Sequence, residues 1–551
     1  MADNTSLNSG SGGDTIRTID QGGVKTQVVA LAGLNDAGDL TQVPVTAEGH
    51  IEVALHSPRL PFGSVHTERL VPVFQTDGVY GINSFEALAT TGLSFGTGAN
   101  SGVTTTSNNM LVCSTGTTQF SFATIQSRRR LRYHAGQGVV GRFAGLFSTP
   151  AAASILVAGF GSSESGYFFG YNGTSFGILH STGGVRELHT LTITTASTST
   201  QDYQVTLPNT VSVTVTGATN NGSTTRTAYE IAQGTFPGWK AEARGSTVIF
   251  LADSAGAKSG TFSLAQSGAG TPAAGTDVET TAGVASTDTW VAQANWNGDP
   301  MDGTGPSGVT LDPSKGNVYQ MNLQYLGFGT VEMQIEAALG DNNPDFITVH
   351  RFSFPNERTT PHMSQPSFPF TMAAYSAGST TDVSVSIGSF AGFNEGDIKF
   401  NGPRMSYYNN AGVTSSTSAY VPIFTVRNSL VYASRANQSI VHLLNPSGAT
   451  KSNTGLTTFY LIRNATLTGP TNFTQFATIS ATYWDTASTG CSFSANNQVV
   501  WTGTLSESSD FNYAFSDEEI TLQPGESLTL AVRSVTATAT CVGGLNTRED
   551  Q

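Results

Sequence analysis

Three cysteines in 551 residues are too few for a disulfide framework, and none of Cys113, Cys491 and Cys541 has the Cys-x-x-Cys spacing of zinc or redox sites. Cys491 and Cys541 both fall in the last part of the chain, where a pairing is open but nothing requires it. Charge is scarce as well. Asp, Glu, Lys and Arg make up 12% of the residues, so the solvent-facing side must be covered largely by Ser, Thr, Asn, Gln and Gly. A chain this poor in the Lys and Glu that favour helix surfaces reads as β. No apolar run approaches the roughly 20 residues that cross a bilayer as a helix, and the polar opening MADNTSLNSGSGGDTIRT has no apolar signal core. The expectation is a protein made in a cytoplasm, without membrane insertion.

Basic residues are in deficit, 25 Lys and Arg against 39 Asp and Glu, and the net charge of −14 opposes unspecific adhesion to nucleic acid. One cluster breaks the pattern. In SRRRLRYH a strand would place Arg128, Arg130 and Arg132 on one face, where they would meet the carboxylates of a partner or of another subunit.

Motifs for chemistry fail on context. Gly173-Thr-Ser175-Phe-Gly177 and Gly92-Leu-Ser94-Phe-Gly96 spell the nucleophile elbow of serine hydrolases, which needs a strand, a strained turn and a helix. Around Ser175 a Phe-rich strand runs on through the motif, so GYFFGYNGTSFGILH is expected to be a hairpin. With Asn172-Gly173 as a type I′ turn, Tyr171 faces Thr174, Phe169 faces Phe176 and Tyr167 faces Ile178, with all six on one buried face. The oxygen-rich loop NWNGDPMDGTG sets Asn295, Asn297, Asp299 and Asp302 in the manner of a weak calcium site, without the EF-hand spacing or its terminal Glu; an ordinary turn is favoured. The histidines are dispersed, no Gly-Lys-Ser/Thr phosphate loop is present, and no cofactor or catalytic residue is assigned. Tyr407, Tyr408, Trp296 and Trp484 are the candidates for stacking on a sugar.

Strand signals organise most of the chain. In NVYQMNLQYLGFGTVEMQIEA, Tyr319, Met321 and Leu323 alternate with Gln320 and Asn322, and Val331, Met333 and Ile335 alternate with Glu332 and Gln334, which predicts a hairpin with one buried and one wet face. The expected division is an extended arm over 1–83, a central antiparallel β-sandwich over 84–186 and 285–417, a small α+β module inserted at 187–284, and a C-terminal jelly-roll-like β-sandwich over 418–551. The helix of the insertion is placed in STTRTAYEIAQ, with Ser223 or Thr224 as N-cap.

GGDTIRTIDQGGVKTQVV, then SRRRLRYHAGQG leading to GYFFGYNGTSFGILH, then WNGDPMDGTGPSGVTLDPSKGNVYQMNLQYLGFGTVEMQIE, resemble virion structural proteins of tailed bacteriophages and related viruses; PIFTVRN with TTFYLIRNATL resembles a C-terminal domain that such proteins carry. That resemblance implies a non-enzymatic, multicopy building block of the particle, such as a head, neck, baseplate or tail fibre component, with a fibre or appendage subunit the leading expectation, assembled in the host cytoplasm. It implies copies of the chain as partners, a trimer before a dimer, and other virion proteins held through the arm. A host-glycan-binding role is the alternative, and a surface-polymer hydrolase stands behind both.

Overall fold

The computed structural model describes residues 69–551 apart from 95–98, 200, 217–221, 340–342, 364–365, 397–401, 452–454, 507, 516–519 and 551, together with short strands among the first 67 residues. The chain divides into two compact units, Met1–Thr67 and Glu68–Gln551. In the first, Thr15–Gln21 pairs antiparallel with Asn4–Ser6 and with Val24–Gln27, and Ala32–Leu34 pairs with Leu40–Gln42. The rest of that segment, and with it most of the expected arm, lies outside the described residues.

The second unit is predominantly β, built from several antiparallel sheets with one short α-helical insertion among the described residues. Its central part has an eight-stranded sheet and a seven-stranded sheet. The larger runs Asn343–Phe352, Val331–Leu339, Asn317–Leu323, Val139–Phe147, Ser384–Glu395, Met110–Ser114 and Val103–Ser107, with Leu70–Asp77 also paired to Ser384–Glu395. Leu70–Asp77 is therefore sheet, although the expected arm of 1–83 included it. The smaller sheet runs Thr287–Ala292, Ser175–Thr182, Gly166–Asn172, Ser154–Gly161, Phe370–Ser376, Ser121–Ser127 and Ala87–Leu93. Aromatic rings join the two. Phe143 stacks on Tyr319 at 4.9 Å, Phe169 from the other sheet meets Tyr319 at 4.8 Å, and Phe370 stacks on Phe390 at 4.1 Å. Each such buried ring contributes about 1.5–3 kcal/mol by leaving water.

The hairpin GYFFGYNGTSFGILH forms, with a register correction. Asn172 pairs with Ser175, so Gly173-Thr174 and not Asn172-Gly173 makes the turn. Gly173 has a φ of 58° while Thr174 does not take a positive φ, which fits the type II′ turn with glycine in its first central position. The pairs become Tyr171 with Phe176, Phe169 with Ile178 and Tyr167 with His180. Side-chain parity survives the shift, so Tyr167, Phe169, Phe176 and Ile178 are buried in one core, with Tyr171 packed against it.

The hairpin of Asn317–Leu323 and Val331–Leu339 has the expected register, Tyr319 with Ile335 and Met321 with Met333. Its expected wet face is not wet. Gln320, Asn322 and Gln334 are buried and bonded to one another: Gln320 Nε2 and Asn322 Nδ2 donate to Gln334 Oε1 at 2.6 and 2.9 Å, and Gln334 Nε2 donates to Thr348 Oγ1 at 3.0 Å, while Asn322 Oδ1 has no partner among the described residues. Arg142 donates to Gln320 Oε1 and lies 5.0 Å over the Phe346 ring. Amides that pair across strands lose little on leaving water, and alternation of residue types alone could not show this.

Within the insertion, a four-stranded sheet runs Trp239–Arg244, Thr247–Ala255, Arg186–Thr195 and Ala274–Thr281, and a three-stranded one runs Ser212–Val215, Tyr203–Thr206 and Ser263–Gln266. Helix α1, Thr224–Ala232, starts where Ser223 Oγ accepts from Arg226 N, and it buries Ala228 and Ile231. The last part of the chain has a five-stranded sheet built on Arg404–Thr414, Thr540–Asp550 and Ile440–Lys451, and a six-stranded sheet that includes Val421–Asn428, Ser527–Ser534 and Leu456–Arg463. Arg404–Thr414 belongs to this last part, ahead of the expected boundary at 418, because it pairs with Thr540–Asp550. Leu528, Leu530 and Val532 point inward as the alternation predicts.

Inside the insertion His189 is fully buried, with Nδ1 2.8 Å from Asp277 Oδ2 and Nε2 2.9 Å from Glu187 Oε1. Burial works against its charge, but the two carboxylates outweigh burial and raise its pKa above the usual value. A raised folded-state pKa gives stability that is fully present below the unfolded value of about 6.5 and is lost as pH rises through the folded value. In thermal melts, wild type should therefore exceed His189→Gln most at about pH 6, and the gap should shrink toward about pH 9. A gap that stays constant over that range refutes a charged His189.

Candidate functional site

The basic cluster sits where three parts of the chain meet. Only Leu131–Arg132 is strand, paired with Ser367–Phe368, so the three arginines do not line one strand face. The carboxylates that two of them meet belong to this chain. Arg128 Nη1 lies 3.8 Å from Glu526 Oε1, and Arg132 Nε lies 3.4 Å from Asp550 Oδ1 while its Nη1 donates to the Asp550 carbonyl. Glu526 is shared with Arg463 at 3.2 Å. Arg130 points into the junction with the insertion, where burial and then the nearby Arg186 lower its pKa to about 10. Arg186 in turn lies 3.3 Å from Glu164.

A second set of charges, which sequence reading missed, holds the insertion to the last part of the chain. Glu242 is buried in the strand Trp239–Arg244. Its Oε2 accepts from Leu430 N at 2.8 Å, its Oε1 accepts from Ser429 Oγ and pairs with Arg244 at 2.7 Å, and Arg427 lies 3.7 Å away. Burial disfavours its charge, yet Arg244 and Arg427 hold its pKa below the usual carboxylate value. From α1, Arg226 Nη1 donates to Leu467 O at 3.0 Å and Thr471 Oγ1 at 3.1 Å, while Leu467 N donates to Tyr229 Oη at 2.9 Å. Beneath these contacts one apolar core takes Leu191, Ile231 and Phe250 from the insertion and Ile462, Leu467 and Phe473 from the last part. In sequence, WKAEAR shows only a Glu and an Arg two residues apart, and gives no sign that the Glu is interior, because Ser429, Leu430 and Arg427 that close around it are nearly two hundred residues away.

The calcium candidates serve as turn acceptors. Asp299 Oδ1 accepts from Met301 N at 2.8 Å and its Oδ2 from Ser307 N at 2.7 Å; Asp302 Oδ1 accepts from Thr304 N at 2.9 Å. Asn297 is tied to Arg351, accepting from its N and donating to its O, and Asn295 lies at the end of a one-turn 3₁₀ helix, Gln293–Asn295. Among the described residues no three His, Cys, Asp or Glu side chains gather as a metal would need. Cys491 and Cys541 are both free thiols, buried in different cores.

Of the aromatic candidates, Trp296 and Tyr407 are buried, Trp484 packs against Tyr407 and Phe476, and Tyr408 is exposed. Exposed aromatics gather elsewhere. A groove of about 900 Å³ is lined by Tyr80, Phe85 and Phe393, by Gln75 and Asn83, and by the charged Asp77, Glu86 and Arg142, and Tyr80 is 99% exposed. The turn that carries Tyr80 follows Leu70–Asp77, which sequence reading assigned to the arm.

Compared with family models, curated proteins and solved structures, the chain matches none.

Removing one partner of a buried pair leaves the other charge uncompensated. Arg427→Met should therefore cost about 3–5 kcal/mol in urea unfolding, and the double variant with Glu242→Gln should cost less than the sum of the single changes. Additive losses would show that the two groups do not act together.

Proposed function

We propose that this chain is a non-enzymatic structural component of a virion of the tailed-bacteriophage kind, a multicopy fibre or appendage subunit docked through its N-terminal segment. The observation that carries the reading is the division of the chain, in which Met1–Thr67 forms a compact unit of short paired strands separate from the large β unit. A small separate unit ahead of a large one suits docking, and buried charge locks between the parts of the large one suit a component that must keep its shape. The order of sequence segments that resembles virion proteins supplies the context. In this reading the five- and six-stranded sheets of the last part form a jelly-roll-like sandwich, the central pair of sheets forms another, and the subunit assembles as a trimer. Purified particles should contain the chain at a fixed copy number, and removal of residues 1–67 should abolish its incorporation while the remaining protein stays folded by circular dichroism. Normal incorporation without those residues, or absence of the intact chain from particles, overturns the proposal.

A second reading, host-glycan binding by the same particle component, is favoured by the groove at Tyr80. Aromatic faces beside amide and guanidinium groups are the surface that a sugar's apolar face and hydroxyls require, and a fully exposed Tyr80 suits that contact. Tyr80→Ala should weaken binding on a glycan array by about tenfold or more. An unchanged binding profile removes the groove from the reading.

A further inference from the structure

We propose that a small tetrahedral oxyanion, free phosphate or sulfate, binds in the cavity where the central sheets, the insertion and the last part of the chain meet. The cavity is lined by Arg128 and Arg130 from the central part, Arg186 and Lys240 from the insertion, and Asn437 and Gln523 from the last part, among apolar neighbours. No carboxylate lines it, although acidic residues outnumber basic ones along the chain, 39 to 25. The carboxylates that act on these cations are not among the lining residues: Glu526 at Arg128, Glu164 at Arg186 and Asp253 near Lys240.

Three side-chain donors on its lining residues have no hydrogen-bond partner among the described residues: Arg130 Nη1, Arg186 Nε, which is ion-paired with Glu164 at 3.3 Å, and Gln523 Nε2, on a residue only 7% exposed. Arg130 and Gln523 also line an adjoining cavity that Asp550 closes. Unmet donors in a buried place each cost about 1–3 kcal/mol, more for a charged group, and an oxyanion would accept from them while offsetting the mutual repulsion of the cations. Burial first and then Arg186 lower the pKa of Arg130, the second of these being that repulsion. Size sets the ligand class. The cavity measures about 60 Å³. On the scale where one water needs roughly 10–15 Å³, that admits about four or five waters or one anion of comparable bulk. A nucleotide or a peptide side chain with its backbone does not fit. The assignment is independent of the virion reading, since all its residues lie in the large unit.

The test is thermal melting and calorimetric titration of the full chain with inorganic phosphate, sulfate and chloride at matched ionic strength. Phosphate and sulfate should raise the melting temperature and chloride should not. Lys240→Met removes one of the mutually repelling cations, so it should melt at or above wild type in chloride, lose the added stabilisation by phosphate and bind phosphate about tenfold more weakly, with Lys240→Arg close to wild type. Arg351→Met, whose ion pair with Glu332 lies outside the cavity, should leave phosphate binding unchanged. Equal melting in all three salts, or phosphate binding as tight in Lys240→Met as in wild type, overturns the proposal. Glycerol phosphate binding as tightly as free phosphate would overturn the size assignment.

Discussion

The interaction on which the large unit most depends is the apolar core that the insertion shares with the last part of the chain, capped by the charge cluster of Glu242, Arg244 and Arg427. A module placed in a loop of one sheet pair would ordinarily be expected to fold on its own core and project from the surface. Here its side chains from Leu191 to Ala273 are buried together with Ile462, Leu467, Phe473 and Ala531. Its α1 gives Arg226 and Tyr229 to the backbone of Leu467 and Gly469 and to the hydroxyl of Thr471. The insertion is thus a joint between the central sheets, from which it emerges, and the last part, on which it packs.

That joint explains how a charge-poor protein uses its charges. Arginines in such a chain find water only if the fold leaves them there, and several of these do not. Arg128 and Arg132 reach Glu526 and Asp550, Arg226 reaches Glu230, and Arg427 reaches Glu242 while lying 4.0 Å over the Phe473 ring. Guanidinium groups suit this work because their flat fork makes several directed bonds and stacks on rings while staying charged. A buried pair of this kind adds little net stability over an apolar pair of the same volume, but leaving one member alone is costly, so it favours one arrangement of the parts over others.

The same geometry separates the two surfaces with the most to offer a ligand. The groove at Tyr80 is open and mixed, with aromatic rings beside amides and the charged groups of Asp77, Glu86 and Arg142. The junction cavity is small, cationic and lined by three parts of one chain. Occupying the first leaves the chain's own packing as it is. Filling the second would add bonds between parts that the fold already brings together, so an anion there would act as a piece of the structure.

Much of the fold was legible in the sequence because side-chain period is a local property. The hairpin at Tyr319, the inward set Leu528, Leu530 and Val532, the N-cap at Ser223 and the buried face of GYFFGYNGTSFGILH all follow from alternation and capping chemistry within a few residues. Turn register was less secure, because Asn-Gly and Gly-Thr both offer glycine to a tight turn and only the strand pairing chooses between II′ and I′. The limits of the parts escaped for a related reason: Leu70–Asp77 and Arg404–Thr414 have ordinary strand texture, and their sheet is decided by partners far away in sequence, residues 389–395 and 540–548. What the sequence by itself determined is the β character, the strands and the apolar faces. Only the tertiary structure decided that Gln320 and Asn322 are buried, that Arg128 and Arg132 meet carboxylates of their own chain, and that Glu242 is an interior lock, since burial and charge pairing depend on contacts that no local pattern records.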